Sequence, residues 1–266
     1  MDEKKLIKGV IILELKELVK RSYYSEKGGM LLMGDCLELM KDIPDKSVDM
    51  ILADLPYGVT SCKWDIIIPF NELWKEYQRI IKDCSGILLF GREPFSSLLV
   101  TSNIKWYKHK WIWNKKQSGS FQNAKYMPLQ IDEDIFCFAN GKVNYYPKMR
   151  KGKFRKRGGA KEKSRVTGNG LIDGFENYSD LYYPTNIIEI ANPRKEKLHP
   201  TQKPIELCEY LIETYSQENE IVLDNVAGSC TTAIACKNTK RRWICIEKEQ
   251  KYCDISVERI KNHKIN

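Results

Sequence analysis

Short apolar runs alternate with stretches of helical periodicity along most of this chain, and this alternation constrains the fold more than any other feature. The run 48–54 follows the turn signal PDKS and predicts a buried strand, while 70–81 places apolar residues at helical intervals. Another apolar run, 86–90, follows closely. Strand, helix and strand in this order are typical of a parallel sheet covered by helices, so the sequence predicts an α/β fold.

The same rhythm returns after residue 197. Pro204 suits the first position of a helix, and the segment 221–247 predicts a strand, a tight loop, a helix and a second strand. Between about 140 and 197 the periodicity is lost, which predicts an insertion on one face of the core. The remaining predicted elements are helices over 3–22 and 250–261 and strands over 30–35, 110–113 and 134–139.

Composition is that of a globular protein with one core. The 266 residues are 42% hydrophobic and 30% charged, which is enough apolar material for a core of ordinary size. No apolar stretch is long enough to cross a bilayer and the N-terminal segment is charged, so we expect a cytoplasmic protein. Nine scattered cysteines without a CxxC pair, beside three histidines, predict free thiols in the core and no metal site.

A single segment carries the net charge of the chain. Ten basic residues and one acidic residue stand between Lys148 and Arg165, whereas the rest of the chain is balanced and the total is +9. Aromatic residues, Phe154 among them, lie within and beside the segment. This combination favours a nucleic acid as the partner, and a solvated basic loop is the alternative. The cations that we expect to contact the partner are Lys148, Arg150, Lys151, Lys153, Arg155, Lys156 and Arg157.

The segment from Ile221 to Glu247 predicts a nucleotide-type site. Its first strand ends in Asp224, its loop contains Gly228, and its second strand ends in Glu247, near the offset at which an acid reaches ribose hydroxyls in Rossmann-like folds. An adenosine-bearing cofactor fits this pattern. NAD does not, because the loop lacks the further glycines of G-x-G-x-x-G; a βα turn with an incidental glycine is the alternative.

The residues DLPY at 54–57 stand where open α/β sheets bind their ligands. Asp54 and a neighbouring main-chain carbonyl can accept the two N–H groups of an exocyclic amine, Pro56 fixes the loop, and Tyr57 can cover the ring of the ligand. Two acceptors also offset the positive charge that grows on such an amine as it attacks. The stretch therefore predicts a site for a flat molecule that carries an amine.

Four segments resemble motifs of the amino-group DNA methyltransferases. DLPYG resembles their D-P-P-Y motif and, with the following CKWD, a bacterial and phage subgroup of adenine methylases. LDNVAGSCTT resembles their S-adenosylmethionine loop, HPTQKP resembles their helix-leading cofactor motif, and GD at 34–35 resembles the turn that meets the cofactor's adenine. The motifs span about residues 30–260, and their order resembles that of the permuted β group.

The resemblance implies a Rossmann-like methyltransferase fold, with a mostly parallel twisted sheet, helices on both faces and an inserted basic target-recognition region. The implied activity is sequence-specific transfer of a methyl group from S-adenosylmethionine to N6 of an adenine flipped out of double-stranded DNA. A homodimer and a cognate restriction endonuclease are left open. The implied regions are an N-terminal helical extension (1–29), a catalytic half (30–140), the target-recognition region (141–197) and a cofactor-binding half (198–266).

The resemblance also implies roles for individual residues. Asp54 and the Leu55 carbonyl would hold the target amine, next to Pro56 of the same motif, while Tyr57 would stack on the base. On the cofactor, Asp35 would meet the adenine and Glu247 the ribose. The residues implied at or near the methionine end of the cofactor are Asp224, Gly228, Ser229, Thr201 and Lys203.

Departures from the family pattern qualify this reading. Leu55 stands where the family usually has proline, and in the cofactor loop Asn225, Val226 and Cys230 replace proline, phenylalanine and the second glycine. Cys230 adds a side chain where the backbone passes close to the ligand, and whether this weakens cofactor affinity is left open. Asp54 favours adenine N6 over cytosine N4. The alternatives are cytosine-N4 or RNA methylation, a non-catalytic DNA-binding relative, and an NAD-type oxidoreductase, which the missing glycines disfavour.

Overall fold

The protein folds around one nine-stranded, mostly parallel sheet with helices on both faces. The computed structural model describes residues 13–60, 62, 65–119, 121–158, 176–192 and 202–264. This architecture confirms both the α/β fold that the alternation of apolar runs predicts and the Rossmann-like fold that the resemblance implies.

The elements of the described residues are as follows in chain order. The strands are β1 (Tyr24–Glu26), β2 (Gly29–Met33), β3 (Val48–Ala53), β4 (Ile81–Gly91), β5 (Tyr107–Asn114), β6 (Asp132–Phe138), β7 (Arg150–Gly158), β8 (Glu176–Tyr182), β9 (Ile187–Glu189), β10 (Ile221–Asp224) and β11 (Arg242–Glu247). The helices are α1 (described over 13–20), α2 (Cys36–Met40), α3 (Phe70–Ile80), α4 (Phe95–Ser102), α5 (Ile205–Tyr215), α6 (Thr231–Asn238) and α7 (Gln250–Asn262), and a 3₁₀ turn spans Phe121–Asn123.

The order of strands in the large sheet is β1-β2-β11-β10-β3-β4-β6-β5-β9. Only β1 and β6 run against the other seven strands of this sheet, because β1 pairs antiparallel with β2 and β6 pairs antiparallel with both β4 and β5. The carboxyl ends of β2, β3, β4, β10 and β11 therefore meet at one edge, which we name the carboxyl edge. Ligands of open α/β sheets bind at this edge.

Alternating side chains of the central strands build a core on each face of the sheet. Met50 and Leu52 of β3 pack into one hydrophobic cluster with α5, α6 and α7, while Ile51 packs into the other with α1 to α4. All six residues of β3 are buried, as expected for a parallel strand covered on both faces. At Gly29 of β2 an added side chain would collide with the Trp243 indole.

Most of the predicted elements are present with shifted ends. The predicted strands 48–54 and 221–224 correspond to β3 and β10, and the predicted helices 70–81 and 250–261 correspond to α3 and α7. Strand β4 begins at Ile81, directly after α3, and so is longer than the predicted run 86–90. Of the helix predicted over 3–22, residues 13–20 are helical and 3–12 lie outside the described residues.

Residues 147–185 form a compact unit of their own. Its described part is an antiparallel hairpin of β7 and β8, with the register shifted between Lys151 and Arg155. This unit lies within the region 141–197 that is predicted to recognise the target, and β9, which that region also includes, pairs parallel with β5 in the large sheet. Residues 159–175 and 193–197, which that prediction also includes, lie outside the described residues.

The cysteines follow the prediction of free thiols in the core. All nine are free, and seven are buried, whereas Cys84 is partly exposed and Cys62 is exposed. Within the described ranges, no helix has the length and apolarity needed to traverse a bilayer.

Candidate active site at the carboxyl edge

A cavity of about 330 Å³ opens at the carboxyl edge of the sheet. Its size suits a nucleoside-sized ligand. Four acids from the ends of four strands face it, while Leu52, Phe90 and the loop residues 66–69 supply apolar walls. The predicted site residues that line the cavity are Asp35, Asp54, Pro56, Lys203, Asp224, Gly228, Ser229 and Glu247.

Glu247 fastens the glycine-bearing loop to the end of β11. Its Oε2 accepts the Gly228 N–H at 2.8 Å, and its Oε1 accepts the Glu249 N–H at 2.8 Å. Burial raises the pKa of Glu247, and the backbone N–H groups oppose that rise. Each carboxylate oxygen has two lone pairs, so Glu247 can hold the loop and still accept from a ligand hydroxyl.

Asp35 caps a helix beside the cavity. Its Oδ1 accepts the N–H of Leu37 at 3.0 Å at the start of α2, a position at which an acid satisfies an otherwise unpaired helix N–H group. Its Oδ2 lies 3.4 Å from Lys248 Nζ in an exposed ion pair. The side chain is therefore oriented at the rim and open to solvent.

Asp224 is a buried carboxyl group between β10 and α6. Its Oδ2 accepts from the Thr232 hydroxyl at 2.6 Å, and its Oδ1 accepts from the Val226 N–H at 3.2 Å. Burial raises the pKa of Asp224 to about 7, against the lowering effect of the Thr232 hydrogen bond. Its charge therefore changes near neutral pH.

Asn225 lies in the wall of the cavity with its side chain buried. Its Oδ1 accepts from the Tyr77 hydroxyl at 2.6 Å, and the residue lines the cavity. Its Nδ2 is buried and has no hydrogen-bond partner among the described residues. A buried donor without an acceptor costs about 1–3 kcal/mol, so a ligand with an acceptor at this point would be stabilised.

Cys230 does not enter the cavity. It adopts a left-handed backbone with φ 53°, and its fully buried side chain packs in the hydrophobic cluster on the α5–α7 face. Arg259 of α7 holds the flanking residues, donating to the Ser229 carbonyl at 2.8 Å and to the Thr231 hydroxyl at 2.9 Å. The side chain of Cys230 therefore points into the core, which argues against direct hindrance of the ligand.

Asp54 lies in a buried network of charges. Its Oδ2 is 2.6 Å from Lys203 Nζ, and its Oδ1 accepts from the Tyr57 hydroxyl at 2.7 Å. Lys203 also pairs with Glu133 at 2.8 Å, and Glu133 pairs with Lys115 at 2.7 Å. Lys203, predicted near the cofactor, thus binds the two carboxylates directly.

Glu133 and Lys115 are site residues that the sequence reasoning missed. Glu133 begins the buried part of β6, and its side chain is 8% exposed. The available signal was weak, because Glu133 stands among three acids at the start of the strand DEDIFCF, directly before its apolar half. Its partners lie far away in sequence, so no local pattern identified them.

Tyr57 and Leu55 pack beside the cavity and do not line it. The Tyr57 ring stacks on Phe95 with centroids 4.8 Å apart, and Leu55 is 3% exposed within the core. The loop that follows is fixed by Asp65, whose carboxylate accepts three backbone N–H groups from residues 58–60 at 2.7–3.0 Å. Stacking of Tyr57 on a base stays a prediction, and Thr201 lies outside the described residues.

The β7–β8 hairpin presents the predicted basic residues to solvent. Arg150, Lys151, Lys153 and Arg155 are exposed, and Lys148 is partly exposed. Arg155 lies over the Tyr182 ring at 5.7 Å. Lys156 and Arg157 belong to β7, but their side chains are outside the described part of the structure. In the described part of the chain, no group of three or more His, Cys, Asp or Glu residues is placed to hold a metal ion.

The fold and the site together define a Rossmann-like protein with a nucleotide-type site, since acids end β10 and β11 and a glycine-bearing loop lies between them. More specifically, the chain belongs to the DNA methylase family of N6 and N4 methyltransferases, whose model matches residues 48–258. Membership of this family excludes the NAD-type oxidoreductase alternative.

Individual relatives agree with this assignment. The type II methyltransferase M.HinfI of Haemophilus influenzae is 29% identical over 271 residues, covering 89% of this chain and 69% of the relative. M2.MboI of Moraxella bovis, also a type II methyltransferase, is 24% identical and covers 88% of each chain.

Solved structures show the same fold. The cytosine-N4-specific PvuII DNA methyltransferase aligns with a TM-score of 0.67 at 15% identity, covering 92% of this chain and 91% of that one. The M1.HpyAVI–SAM complex aligns with a TM-score of 0.62 at 22% identity, covering 87% of this chain and 99% of that one.

Proposed function

We propose that this chain is an S-adenosylmethionine-dependent methyltransferase that acts on the N6 amine of adenine in double-stranded DNA. The observation that carries the proposal is that one cavity is lined both by Asp54 and by the loop 224–229. An acceptor for an amine and a loop for an adenosine-bearing cofactor thus face the same space, as a direct transfer between the two molecules requires.

The donor groups of the cavity fit S-adenosylmethionine. Glu247 and Asp35, which line the cavity, retain lone pairs for the ribose and the adenine. The acids around the cavity also favour a ligand that carries positive charge. When bound, this cofactor supplies a methyl group on a sulfonium, which is electrophilic without a metal.

Asp54 would accept one N–H of the target amine, and the Leu55 carbonyl would accept the other. Lys203 and Tyr57 each contact a different oxygen of Asp54, so the carboxylate is fixed in orientation and still has lone pairs. Burial raises the pKa of Asp54, with Lys203 opposing the rise. This carboxylate is therefore suited to take the proton that the methylated nitrogen must lose.

The exposed cations of the β7–β8 hairpin would hold the DNA backbone. Arg150, Lys151, Lys153 and Arg155 can each neutralise a phosphate, and the nearby Tyr182 ring can support contacts with bases. Extruding a base costs a few kcal/mol of stacking and pairing, which such contacts and the cavity would offset.

Adenine is proposed as the target base because an aspartate begins the DLPY motif. Cytosine N4 is the second candidate, since the PvuII enzyme, which shares the fold, is described as cytosine-N4-specific. RNA methylation and a purely DNA-binding role are further alternatives.

Transfer of labelled methyl groups would test the proposal. The protein is incubated with tritiated S-adenosylmethionine and mixed-sequence duplex DNA, and the DNA is digested to nucleosides and separated. Label in N6-methyladenine supports the proposal, whereas label in N4-methylcytosine would reassign the base. If the protein is folded and binds the cofactor in calorimetry but transfers no label, methyl transfer to DNA is rejected. Duplex RNA incubated in parallel tests the alternative of RNA methylation.

A further inference from the structure

A buried set of alternating charges lies behind Asp54, and the chemistry proposed above uses only its first member. We name this set the Asp54–Glu133 cluster; its members are Asp54, Tyr57, Lys115, Glu133 and Lys203. Lys203 Nζ is 2.6 Å from Asp54 Oδ2 and 2.8 Å from Glu133 Oε1. The Tyr57 hydroxyl lies 2.7 Å from Asp54 Oδ1 and 3.0 Å from Glu133 Oε1. One ammonium therefore bridges the two carboxylates, and one phenol, which can donate its single proton to only one of them at a time, lies within reach of both.

The two carboxylates differ in what they can reach. The Asp54 side chain is 22% exposed and lines the cavity, whereas the Glu133 side chain is 8% exposed and is absent from its lining. Both oxygens of Glu133 are engaged, Oε1 by Lys203 and Tyr57 and Oε2 by Lys115. Glu133 can therefore influence a ligand only through these neighbours.

Because Lys203 also binds Glu133, it neutralises the charge of Asp54 less completely. A buried carboxylate needs a cation nearby, because an unpaired charge is strongly disfavoured in the interior. A lysine bound to Asp54 alone would neutralise it more fully and draw it away from a ligand. A lysine held between two carboxylates leaves Asp54 with more of its negative charge, which strengthens it as an acceptor.

We propose that Glu133 is a positioning residue for methyl transfer, which holds Lys203 midway between the two carboxylates and so preserves both the charge and the orientation of Asp54. Lys203 shares this role with Glu133. The inference rests on the proposed function, because it assigns these residues to the acceptor of the target amine.

The pKa shifts of the two carboxylates agree with these different roles of Glu133 and Asp54. Burial raises the pKa of Glu133, but Lys203 and Lys115 outweigh burial and hold that pKa at about 2, so Glu133 stays ionised. For Asp54, burial raises the pKa, Lys203 lowers it and Glu133 raises it. Beside Tyr57, the further titratable groups that interact with Asp54 are Asp224 of β10 and Cys208 of α5.

Two substitutions in the cluster should move the pH dependence in opposite directions. Glu133→Gln removes a negative neighbour, so Asp54 should ionise at lower pH. Lys203→Met removes the positive neighbour, so Asp54 should ionise only at higher pH. A purely structural role for either residue would lower activity without separating the two profiles.

The experiment measures kcat for methyl transfer from about pH 5 to pH 9, with DNA and cofactor saturating, because kcat reports the groups of the bound complex. We expect Glu133→Gln to reduce kcat about tenfold while KM for the cofactor changes less than about twofold. The acidic limb of the Glu133→Gln profile should lie at lower pH than that of the wild type. The acidic limb of the Lys203→Met profile should lie at higher pH than that of the wild type. The proposal would be overturned if the acidic limbs of the two variants coincided with that of the wild type, or if both moved in the same direction along the pH axis.

Two further variants keep the test decisive. Asp134→Asn is a matched control, because Asp134 is the next residue of β6, its side chain is on the opposite face and it pairs with Lys110; its profile should match the wild type. In Lys115→Met, Glu133 loses one cation and should attract Lys203 more strongly, away from Asp54. The acidic limb of this variant should therefore move to higher pH, by less than the limb of Lys203→Met. If thermal unfolding shows that Glu133→Gln does not fold, the test rests on Lys115→Met. An acidic limb of Lys115→Met at the same pH as that of the wild type would then overturn the proposal. Absence of transfer by the wild type would instead refute the proposed function.

Discussion

The carboxyl edge of the sheet and the β7–β8 hairpin handle charge in opposite ways. At the carboxyl edge the two carboxylates of the Asp54–Glu133 cluster are matched by two lysines at 2.6–2.8 Å, and all four side chains are at least three-quarters buried. In the hairpin the cations are exposed, and the described ion pair there, between Lys151 and Asp180, is a loose one of 3.9 Å. The Asp54–Glu133 cluster therefore pairs negative with positive charges, whereas the hairpin carries an excess of positive charge.

This difference separates two kinds of recognition. Buried, matched charges interact strongly and in fixed directions, so each group matters through its orientation. Exposed charges of one sign interact at long range and are screened by salt, so they matter through their number. A single substitution should therefore have a large effect at the carboxyl edge and a small, additive effect in the hairpin.

The largest effect is expected at Asp54. Asp54→Asn keeps the shape of the side chain but replaces one acceptor by a donor, so methyl transfer should fall by about 10³-fold, as for loss of a main electrostatic group in an active site. Cofactor affinity, measured by calorimetry, should stay within a few fold. Asp134→Asn serves as the matched control. Near-normal turnover of Asp54→Asn would remove this residue from the chemistry.

Next in size is the collective effect of the hairpin. Replacement of Arg150, Lys151, Lys153 and Arg155 by glutamine should weaken DNA binding by about 10²-fold or more near physiological salt. If the wild type neutralises about six phosphates, log K should fall against log salt with a slope of roughly −5, and the fourfold variant should have a slope nearer −2. Fluorescence anisotropy over a salt series measures both quantities.

Each single replacement in the hairpin should change that slope by about one unit. The control variant replaces four exposed lysines outside the hairpin, Lys41, Lys46, Lys75 and Lys240, by glutamine, which changes the net charge equally. An equal loss of affinity in this control would show that net charge, and not the hairpin, binds the DNA.

A smaller effect is expected from Asp224 on stability. The pKa of Asp224 rises from 3.8 to about 7 on folding, chiefly through burial. A raised pKa contributes stability that is fully present below pH 3.8 and is lost as pH rises through about 7. Urea unfolding at about pH 5 and pH 8 should therefore show a decline of up to a few kcal/mol in the wild type, and a smaller decline in Asp224→Asn. Equal declines would show that another group controls the pH dependence.

The smallest effect is expected at Cys230. Cys230→Gly removes a left-handed strain of about 1 kcal/mol and also removes a buried thiol, so the two changes largely cancel in stability. Because the side chain is absent from the cavity lining, cofactor affinity should change by less than about threefold by calorimetry. Much tighter cofactor binding by the glycine variant would show that the Cys230 side chain hinders the ligand.

The strands that carry the site could be predicted because their signals are local. Strands β3 and β10 are short apolar runs that end at an acid and a turn, and the rule for open α/β sheets places their carboxyl ends together. The cavity residues Asp54, Asp224 and Glu247 follow from that rule alone. The short helix α2, with five residues, shows too little periodicity to be recognised.

The Asp54–Glu133 cluster could not be predicted, because its members meet through the order of strands. Tyr57 and Glu133 are 76 positions apart, and Lys203 and Asp54 are 149 positions apart. The contact with Glu133 requires β6 to run antiparallel beside β4, so that the start of β6 reaches the carboxyl edge. No spacing in the sequence encodes that pairing.

Strands β2 and β3 are separated by only 14 residues, yet β11 and β10 lie between them in the sheet. A nascent chain on the ribosome therefore cannot join these two strands until residues 221–247 have been synthesised. Until then the facing sides of β2 and β3 have unpaired backbone groups, which invite association with other chains. The sheet is thus completed only after β10 and β11 have been made, and a chain truncated before residue 221 would lack the middle of its own sheet.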